Sequence, residues 1–270
     1  MKSKLLITAV IGFASAITSY GQTVVASDNA GNYSSWPQIV NNGTGFSSWS
    51  YNNTIPNGGA SGQFEGASGN INSGNGNAFG FYANSAANAQ ANAILNFTQG
   101  SLVNLQDFSI QMQNNNVTDN GGQVGFDLQN SSGNNIMQFY FNGGQNDYYL
   151  NVFTGISTSV QVDTGVSFSA GSSGLTLSYD QLSGDNWIFN ITTGSGTTTL
   201  SSASTSDQIW QNSISKVDMF SLNGGSSRTL GDNANLYFNT LTITDVPEPG
   251  TIALMGISGL AMVYMVRRRR

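Results

Sequence analysis

Apolar and polar residues alternate with a period of two through much of the chain between Thr23 and Asp245. Phe108–Gln113 alternates strictly, and Val124, Phe126 and Leu128 alternate with small or polar residues. Such alternation is typical of a β-strand with one buried face. Segments of the same kind, or strongly apolar ones, are Ile136–Phe141, Tyr148–Phe153, Leu175–Tyr179, Trp187–Ile191, Val217–Met219 and Leu236–Thr244.

Turn-forming residues separate these segments. Asn130–Asn135, Gly143–Asp147 and Leu182–Asn186 are rich in Gly, Asn, Asp and Ser, which favour tight turns. Pro37 and Pro56 are the prolines of this region, so the later strands can pair on both sides. Short strands joined by such turns predict an all-β fold, an antiparallel sandwich or barrel.

Two regions depart from the pattern. Asn41–Asn77 is rich in Gly and Asn and has few large apolar residues, so it predicts long loops around short strands. The alanines of Ala83–Ala93 allow a short helix by propensity. Asn84, Asn88 and Asn92 weaken that interpretation.

The N-terminus has the pattern of a secretory signal peptide, residues 1–21. Met1–Lys4 is basic, and Leu5–Ile17 is an apolar stretch of 13 residues. Ser19 and Gly21 suit cleavage before Gln22, and Ala14–Ala16 offers an earlier site. A permanent anchor is the alternative, but the stretch falls short of the roughly 20 apolar residues that a spanning helix needs.

The C-terminus, residues 246–270, has three parts. Pro247, Glu248 and Pro249 precede an uncharged apolar run of 16 residues, Thr251–Val266. As a helix this run reaches about 24 Å, less than the roughly 30 Å of a hydrocarbon core. Arg267, Arg268, Arg269 and Arg270 follow and predict a cytoplasmic end. These features predict a short transmembrane helix that anchors the exported precursor.

The same three parts resemble the PEP-CTERM sorting signal. The resemblance covers about the last 24 residues. It implies export, recognition by an exosortase-type membrane protease, cleavage near Pro247–Pro249, and delivery to the cell surface or extracellular matrix, often where exopolysaccharide is made. An ordinary single-span tail is the alternative, in which the prolines only end the helix.

The intervening region, residues 22–245, is predicted to be one β-sandwich domain. It resembles exported jelly rolls of the concanavalin and laminin-G type. The stretches that suggest this are Phe79–Tyr82, Gln123–Leu128 and Tyr237–Ile243. The likeness implies a fold and leaves the activity open.

Charge and composition exclude several functions. Between Thr23 and Val246 the basic residues are Lys216 and Arg228, against 13 acidic ones, so the formal charge is −11. Two cations cannot neutralise a row of phosphates, which excludes nucleic-acid binding. The chain has no His and no Cys, which removes the commonest general base, thiolate chemistry and the usual zinc ligands.

Glycan cleavage is the enzymatic alternative, as a surface polysaccharide hydrolase or lyase. Hydrolysis needs two carboxylates. Glycanases that resemble this fold have paired Glu with an Asp between on one strand. The region of residues 22–245 has one Glu, Glu65, which is expected in a Gly-rich loop, and no predicted strand has carboxylates at i and i+2. An Asp pair from distant strands is left open, and we expect no enzymatic activity.

Oxygen ligands alone are available for a metal, which suits Ca²⁺. Asp119, Asp185 and Asp232 stand in or beside predicted turns. Asp also serves turn geometry itself, so a structural Ca²⁺ remains open and no other cofactor is expected.

Trp36, Trp49 and Tyr51 are candidate sugar-stacking residues in the polar N-terminal third. Burial in the core is the alternative for each ring. Taken together, the chain is expected to be an exported, non-enzymatic surface or matrix protein with a structural or adhesive role, in contact with the export machinery, an exosortase-type protease, the membrane and exopolysaccharide.

Overall fold

The computed structural model describes residues 22–56, 59–84, 88–119, 121–211, 213–225 and 234–245. The chain divides into a compact unit, Val24–Thr244, and a second unit, Met1–Thr23 with Asp245–Arg270. The second unit lies almost wholly outside the described residues. The predicted signal helix and transmembrane helix therefore also lie outside them.

The compact unit is an all-β, antiparallel, two-sheet sandwich, as predicted. One sheet has eight strands in the order β13-β12-β11-β6-β15-β4-β3, with β1 beside β15, and the other has seven in the order β10-β9-β8-β7-β14-β5-β2. The strands are β1 Thr23–Asp28, β2 Ser50–Thr54, β3 Ala60–Gly66, β4 Ala78–Asn84, β5 Gln90–Asn96, β6 Gln106–Asn114, β7 Gln123–Gln129, β8 Asn135–Asn142, β9 Asp147–Gly155, β10 Thr158–Ser167, β11 Leu175–Gln181, β12 Trp187–Thr193, β13 Gly196–Ser201, β14 Lys216–Leu222 and β15 Leu236–Asp245.

Helical structure in the described residues is limited to short turns. A 3₁₀ turn covers Ala30–Asn32, and single α-helical turns cover α1 Phe168–Gly171 and α2 Ser202–Thr205. These turns sit in connections, so the two sheets supply the architecture.

Aromatic side chains fill the space between the two sheets. Phe126 and Phe139 of the seven-stranded sheet lie 6.5 Å and 5.5 Å from Phe189 of the other sheet, measured between ring centroids. Phe126 also packs edge-on against Phe238 at 6.4 Å. These rings are at most 1% exposed, so the alternating apolar positions of the sequence form one shared core.

Two strands of the seven-stranded sheet, β7 and β14, are largely buried on both faces. Val124, Phe126 and Leu128 point into the core, whereas Gly125, Asp127 and Gln129 point away from it. We call the side that points away from the core the outer face. Asp127 is only 9% exposed, because β7 is central in the sheet and its neighbours carry large polar and aromatic side chains.

Two sequence interpretations need correction. The short helix considered for Ala83–Ala93 is wrong where the chain is described, because β4 ends at Asn84 and β5 begins at Gln90. Ala91 and Ala93 point into the core opposite β14, where small side chains fit. Glu65 lies on β3 rather than in a Gly-rich loop.

Strands β1, β10 and β13 have no counterpart among the sequence predictions, and β5 lies where a short helix was considered. β10 and β13 are edge strands of their sheets. Their residues are mostly polar and exposed, as is common for edge strands, which natural proteins keep polar. They therefore lack the apolar alternation by which the other strands were recognised.

Candidate functional site

A recess of about 230 Å³ lies on the outer face of the seven-stranded sheet. Its lining comes from four neighbouring strands, β5, β14, β7 and β8. The lining residues are Gln90, Asn92, Gln123, Asp127, Gln138, Asp218, Phe220 and Leu222. Most of them are amides or carboxylates, although their strands are central and their opposite faces are apolar.

Strand register aligns these polar side chains into a row. Asp218 on β14 is opposite Asp127 on β7, and Asp127 is opposite Gln138 on β8. The row continues through Asn151 on β9 to Gln161 on β10. Side chains directly opposite each other on antiparallel strands are in contact range, so five strands contribute to one continuous polar row.

Side-chain hydrogen bonds hold this row in place. Asn151 Nδ2 donates to Gln138 Oε1 at 2.9 Å, and Asn92 Nδ2 donates to Asp218 Oδ1 at 2.9 Å. The Gln161 amide donates to the Tyr140 hydroxyl. These contacts fix the orientation of the amides, since an amide with one bonded end cannot rotate freely.

An aromatic row runs beside the polar one. Phe220, Gly125, Tyr140 and Tyr149 are successive cross-strand partners. Tyr140 and Tyr149 lie 6.0 Å apart between ring centroids. A Cβ at Gly125 would lie 2.1 Å from the carbonyl oxygen of Phe139, so this position between Phe220 and Tyr140 admits only glycine.

Asp127 and Asp218 form a like-charged pair in the recess. Burial, together with the neighbouring Asp218 carboxylate, raises the pKa of Asp127 to about 8, although the amides of Gln138 and Asn135 act in the opposite direction. Burial raises the pKa of Asp218 to about 6, against the opposing effects of the Asn92 amide and Lys216. The pair therefore changes protonation near neutral pH.

Two side-chain oxygens of the recess have no hydrogen-bond partner within the part of the chain that the structure describes. They are Asp127 Oδ1 and Asn92 Oδ1. Asn92 is 6% exposed and Asp127 9%. A buried acceptor without a donor is costly, so these two oxygens keep unused acceptor capacity beside the recess.

The predicted sugar-stacking residues lie elsewhere. Trp36 and Trp49 are 4% and 2% exposed and meet each other at 5.3 Å. Both pack on Phe79, at 4.9 Å and 5.1 Å between ring centroids. Tyr51 is half-buried, and its hydroxyl donates to the Gln38 carbonyl at 2.8 Å. This placement favours the core alternative that the sequence left open for these rings.

The polar end of Trp49 is satisfied inside the protein. Its Nε1 donates to the Tyr33 hydroxyl at 2.7 Å, and that hydroxyl donates to Asp28 Oδ2 at 2.7 Å. Burial raises the pKa of Asp28, although its hydrogen bonds lower it. Trp49 therefore belongs to an internal network that fastens the N-terminal segment.

The Ca²⁺ candidates do not converge where they are described. Asp119 lies beside the turn at Gly144, and Asp185 lies in the turn between β11 and β12, where its carbonyl accepts from Ile209. Asp232 lies outside the described residues. Over the described ranges, no group of three or more acidic side chains is placed to hold a metal ion.

Pro247, Glu248, Pro249 and the arginines Arg267, Arg268, Arg269 and Arg270 also lie outside the described residues. Comparison with protein families identifies the region that contains them. Residues 245–270 match the PEP-CTERM protein-sorting motif. The PEP-CTERM motif indicates an exported, envelope-associated protein that is processed by exosortase-type machinery. In the ranges that the structure describes, no helix combines the length and the apolar character needed to cross a membrane.

Solved structures share the fold of the compact unit. The CBM2 module of the Lactobacillus casei BL23 phage J-1 evolved Dit has a TM-score of 0.50 at 14% identity, over 84% of this chain and 98% of that one. A carbohydrate esterase of the Shiga toxin-encoding bacteriophage phi24B has a TM-score of 0.48 at 12% identity, over 84% and 100%.

A legume lectin-like domain from Entamoeba histolytica has a TM-score of 0.44 at 10% identity, over 74% of this chain and 90% of that one. At these identities the likeness concerns the β-sandwich fold alone. Comparison with curated proteins finds no match.

The recess was missed by the sequence interpretation. Asp127 and Gln138 are visible in the sequence as polar residues of alternating strands, but Asp218 is 91 residues away from Asp127 in the chain. Only the pairing of β14 with β7 brings the two carboxylates together. No motif at fixed spacing could have indicated this.

Proposed function

We propose that the chain is exported and delivered to the outer cell surface or matrix through its PEP-CTERM motif, where the sandwich binds neutral polysaccharide in the recess. The role is structural or adhesive. The observation that carries the binding part is the in-register row of amides and carboxylates beside Phe220. Amides and carboxylates offer donors and acceptors for sugar hydroxyls. Phe220 is only 5% exposed, but it lines the recess, which Trp36 and Trp49 do not, and can offer an apolar edge to a sugar there.

The charge of the recess selects among polysaccharides. None of its lining residues is basic, whereas Asp127 and Asp218 are acidic. An anionic chain such as a uronate polymer would meet repulsion and no compensating cation. Neutral glycans are therefore the ligand class that this lining supports.

Delivery is tested in producing cells by following the full chain and a deletion of Val246–Arg270 in the envelope and medium fractions. The deletion should appear in the medium. If it stays with the cells, the sorting part is wrong. A Pro247→Ala/Pro249→Ala variant keeps the apolar run and the arginines, so wild-type processing and location of this variant would indicate a plain membrane anchor instead.

Binding is tested with the purified full-length protein in detergent micelles by affinity electrophoresis in laminarin, xylan, galactan and agarose, with alginate as the anionic comparison. We expect retardation by at least one neutral glycan and none by alginate. Gln138→Ala should reduce the retardation about tenfold, equivalent to roughly 1.4 kcal/mol. Gln111→Ala is the matched control, because Gln111 lies on β6 of the other sheet. Binding to no neutral glycan, or equal effects of the two substitutions, would contradict the proposal.

Hydrolysis of the bound glycan is the second candidate function, which the Asp127–Asp218 pair specifically favours. A lyase acting on uronates is less well supported, because the recess lining has no cation to neutralise the substrate carboxylate.

A further inference from the structure

The sandwich contains two aspartate pairs in direct cross-strand register. Asp127 is opposite Asp218 in the seven-stranded sheet, and Asp107 is opposite Asp180 in the eight-stranded sheet. Like charges directly opposite each other destabilise a sheet. The Asp127–Asp218 pair differs from the other because it lines the recess.

The Asp127–Asp218 pair is built into its site from several strands. Asn92 on β5 orients Asp218 through the 2.9 Å hydrogen bond to Oδ1. Gln138 on β8 is the cross-strand partner of Asp127 and is itself held by Asn151. Independently of the carboxylates, Asn92 Oδ1 is buried in the recess lining without a donor within the described part of the chain. The recess is therefore lined by carboxylates held in fixed positions and by an acceptor that lacks a donor.

A divalent cation is a weaker explanation for the pair. Ca²⁺ takes about six to eight oxygen ligands, usually with several carboxylates. The recess offers two carboxylates, and no third acidic side chain joins them in the described ranges. Two carboxylates suffice, in contrast, for acid–base cleavage of a glycosidic bond.

We propose that Asp127 and Asp218 are a catalytic pair that hydrolyses the glycosidic bond of the neutral polysaccharide bound in the recess, with Asp127 as the acid and Asp218 as the nucleophile. This inference rests on the proposed glycan binding and goes beyond it. Because proteins of many functions share one fold, the fold itself assigns no catalytic role, and these two residues carry the assignment.

The two environments assign the two roles. Burial and the neighbouring Asp218 carboxylate favour the protonated form of Asp127, and together they outweigh the Gln138 and Asn135 amides, which favour its ionised form. Asp218 accepts from the Asn92 amide and has Lys216 two residues away on the same face of β14, and both favour its ionised form. When two environments push the pKa values of neighbouring carboxyl groups apart in this way, the group with the higher pKa is usually assigned as the acid and the other as the nucleophile.

The reaction balances with water as the co-reactant. Asp127 donates its proton to the glycosidic oxygen while the C1–O bond breaks, and an oxygen of Asp218 bonds to C1. Water then attacks C1, its proton passes to Asp127, and the ester bond to Asp218 breaks. Both carboxyl groups return to their starting states, and the products are two shorter chains, one with a new reducing end.

Cross-strand geometry predicts the stereochemical outcome. Cβ atoms of directly opposite residues are about 4.5–5.5 Å apart. Carboxyl groups about 5–5.5 Å apart are typical of retaining glycosidases, whereas inverting enzymes need about 6.5–9.5 Å. An aspartate carboxyl carbon is bonded directly to Cβ, so two side chains that project in parallel keep their carboxyl groups near the Cβ separation, and we expect retention of configuration at the anomeric carbon.

The pH profile follows from the same pair. The acid must be protonated and the nucleophile ionised, so activity should be greatest between about pH 6 and pH 8, the pKa values of Asp218 and Asp127. These two values belong to the coupled pair. Among the described residues on this face of β14 and the flanking strands, the other titratable groups are Lys216 on β14 and Tyr140 on β8. β5 contributes no titratable group there, because its outward residues are Gln90, Asn92, Ile94 and Asn96.

The experiment uses the full-length protein in detergent micelles with laminarin, xylan, galactan and agarose, from about pH 5 to about pH 9. New reducing ends are measured, and proton NMR gives the anomeric configuration of the first product. Asp127→Asn and Asp218→Asn should each lower the rate by about 10²–10⁴-fold, the usual contribution of such groups, which is more than the roughly tenfold loss expected when one binding contact is removed. Azide should restore turnover to Asp218→Ala with formation of a glycosyl azide.

Asp107→Asn and Asp180→Asn are the matched controls, since they alter an equivalent pair outside the recess, and they should leave the rate unchanged. Glycan binding without any new reducing ends overturns catalysis and leaves the proposed binding intact. Absence of both binding and cleavage overturns both. Equal losses from the recess and control substitutions, or unsaturated products in place of hydrolytic ones, also overturn the assignment.

Discussion

Asp127 on β7 and Asp218 on β14 are direct cross-strand partners in a buried polar row. Their pKa values, about 8 and about 6, lie above the value near 3.9 of an unfolded chain. The folded protein therefore binds more protons than the unfolded chain between about pH 4 and pH 8, so its stability is greatest at the acid end of this range and falls as pH rises.

The pH dependence can be measured by thermal unfolding of the full-length protein. The Tm should fall between about pH 5 and pH 8.5, and Asp127→Asn should flatten the fall, because the amide does not titrate. Asp107 contributes in the same direction, since burial and Asp180 raise its pKa to about 7, so part of the slope remains. Gln111→Ala removes no ionisable group and should leave the slope unchanged. A Tm that rises over this range would contradict the assignment.

Phe220 supplies the ring of the recess. Phe220→Ala should weaken binding of the neutral glycan by about tenfold, equivalent to roughly 1.4 kcal/mol, through loss of an apolar surface for the sugar. Phe220→Leu keeps an apolar side chain without the ring and should show a similar loss with less effect on folding. Val160→Ala is the control, on β10 of the same sheet and 37% exposed. Affinity electrophoresis of the three variants decides the point, and unchanged retardation for Phe220→Leu would remove Phe220 from the site.

Gly125 lies between Phe220 and Tyr140 in the aromatic row, at a position where a side chain has no room. Gly125→Ala would place a methyl group 2.1 Å from the Phe139 carbonyl oxygen and 2.8 Å from Tyr140 Cα. Since both obstacles are backbone atoms, the strands must separate, and we expect a loss of about 1–3 kcal/mol in the free energy of unfolding. Gly194→Ala is matched, because no atom lies within 4 Å of the position that its methyl group would take. Urea denaturation of both variants checks this prediction. If Gly125→Ala and Gly194→Ala have the same free energy of unfolding, β7 and β8 can separate at little cost and the prediction is wrong.

Trp36 distinguishes a core residue from a ligand-binding one. Trp36→Ala should lower the free energy of unfolding by about 3–5 kcal/mol, because the ring contacts Trp49, Tyr51, Phe79 and Phe81. Ile39→Ala, at a position 70% exposed, should change stability by less than about 0.5 kcal/mol. Urea denaturation gives both values. Reduced glycan binding with unchanged stability would make Trp36 a sugar-stacking candidate again.

Strand prediction succeeded where one face is buried and the other is polar. β6 shows this in Phe108, Ile110 and Met112, which alternate with half-buried polar residues. The prediction failed at β10 and β13, since a polar edge strand has no apolar face to reveal it. It also left Ala91 and Ala93 open to a helix, because the identity of an alanine does not show that it packs against β14.

Candidate binding residues were harder to predict than strands. Trp36 and Trp49 are isolated among polar residues in the sequence, and only the tertiary structure shows that Phe79 and Tyr33 surround them. Aromatic identity alone does not separate a buried ring from a ligand platform. The residues that do line a recess, such as Gln138 and Asn92, are common types in this chain and carry no distinctive spacing.

The amino-acid sequence is enough to predict the all-β class, the alternation of most buried strands, the acidic charge of the region between Thr23 and Val246, and the PEP-CTERM motif at 245–270. These properties are local, because periodicity, charge and a short motif depend on neighbouring residues. The tertiary structure alone decided that β7 lies between β8 and β14. That long-range pairing sets the register, and the register places Asp218 opposite Asp127 and Gln138 beside them.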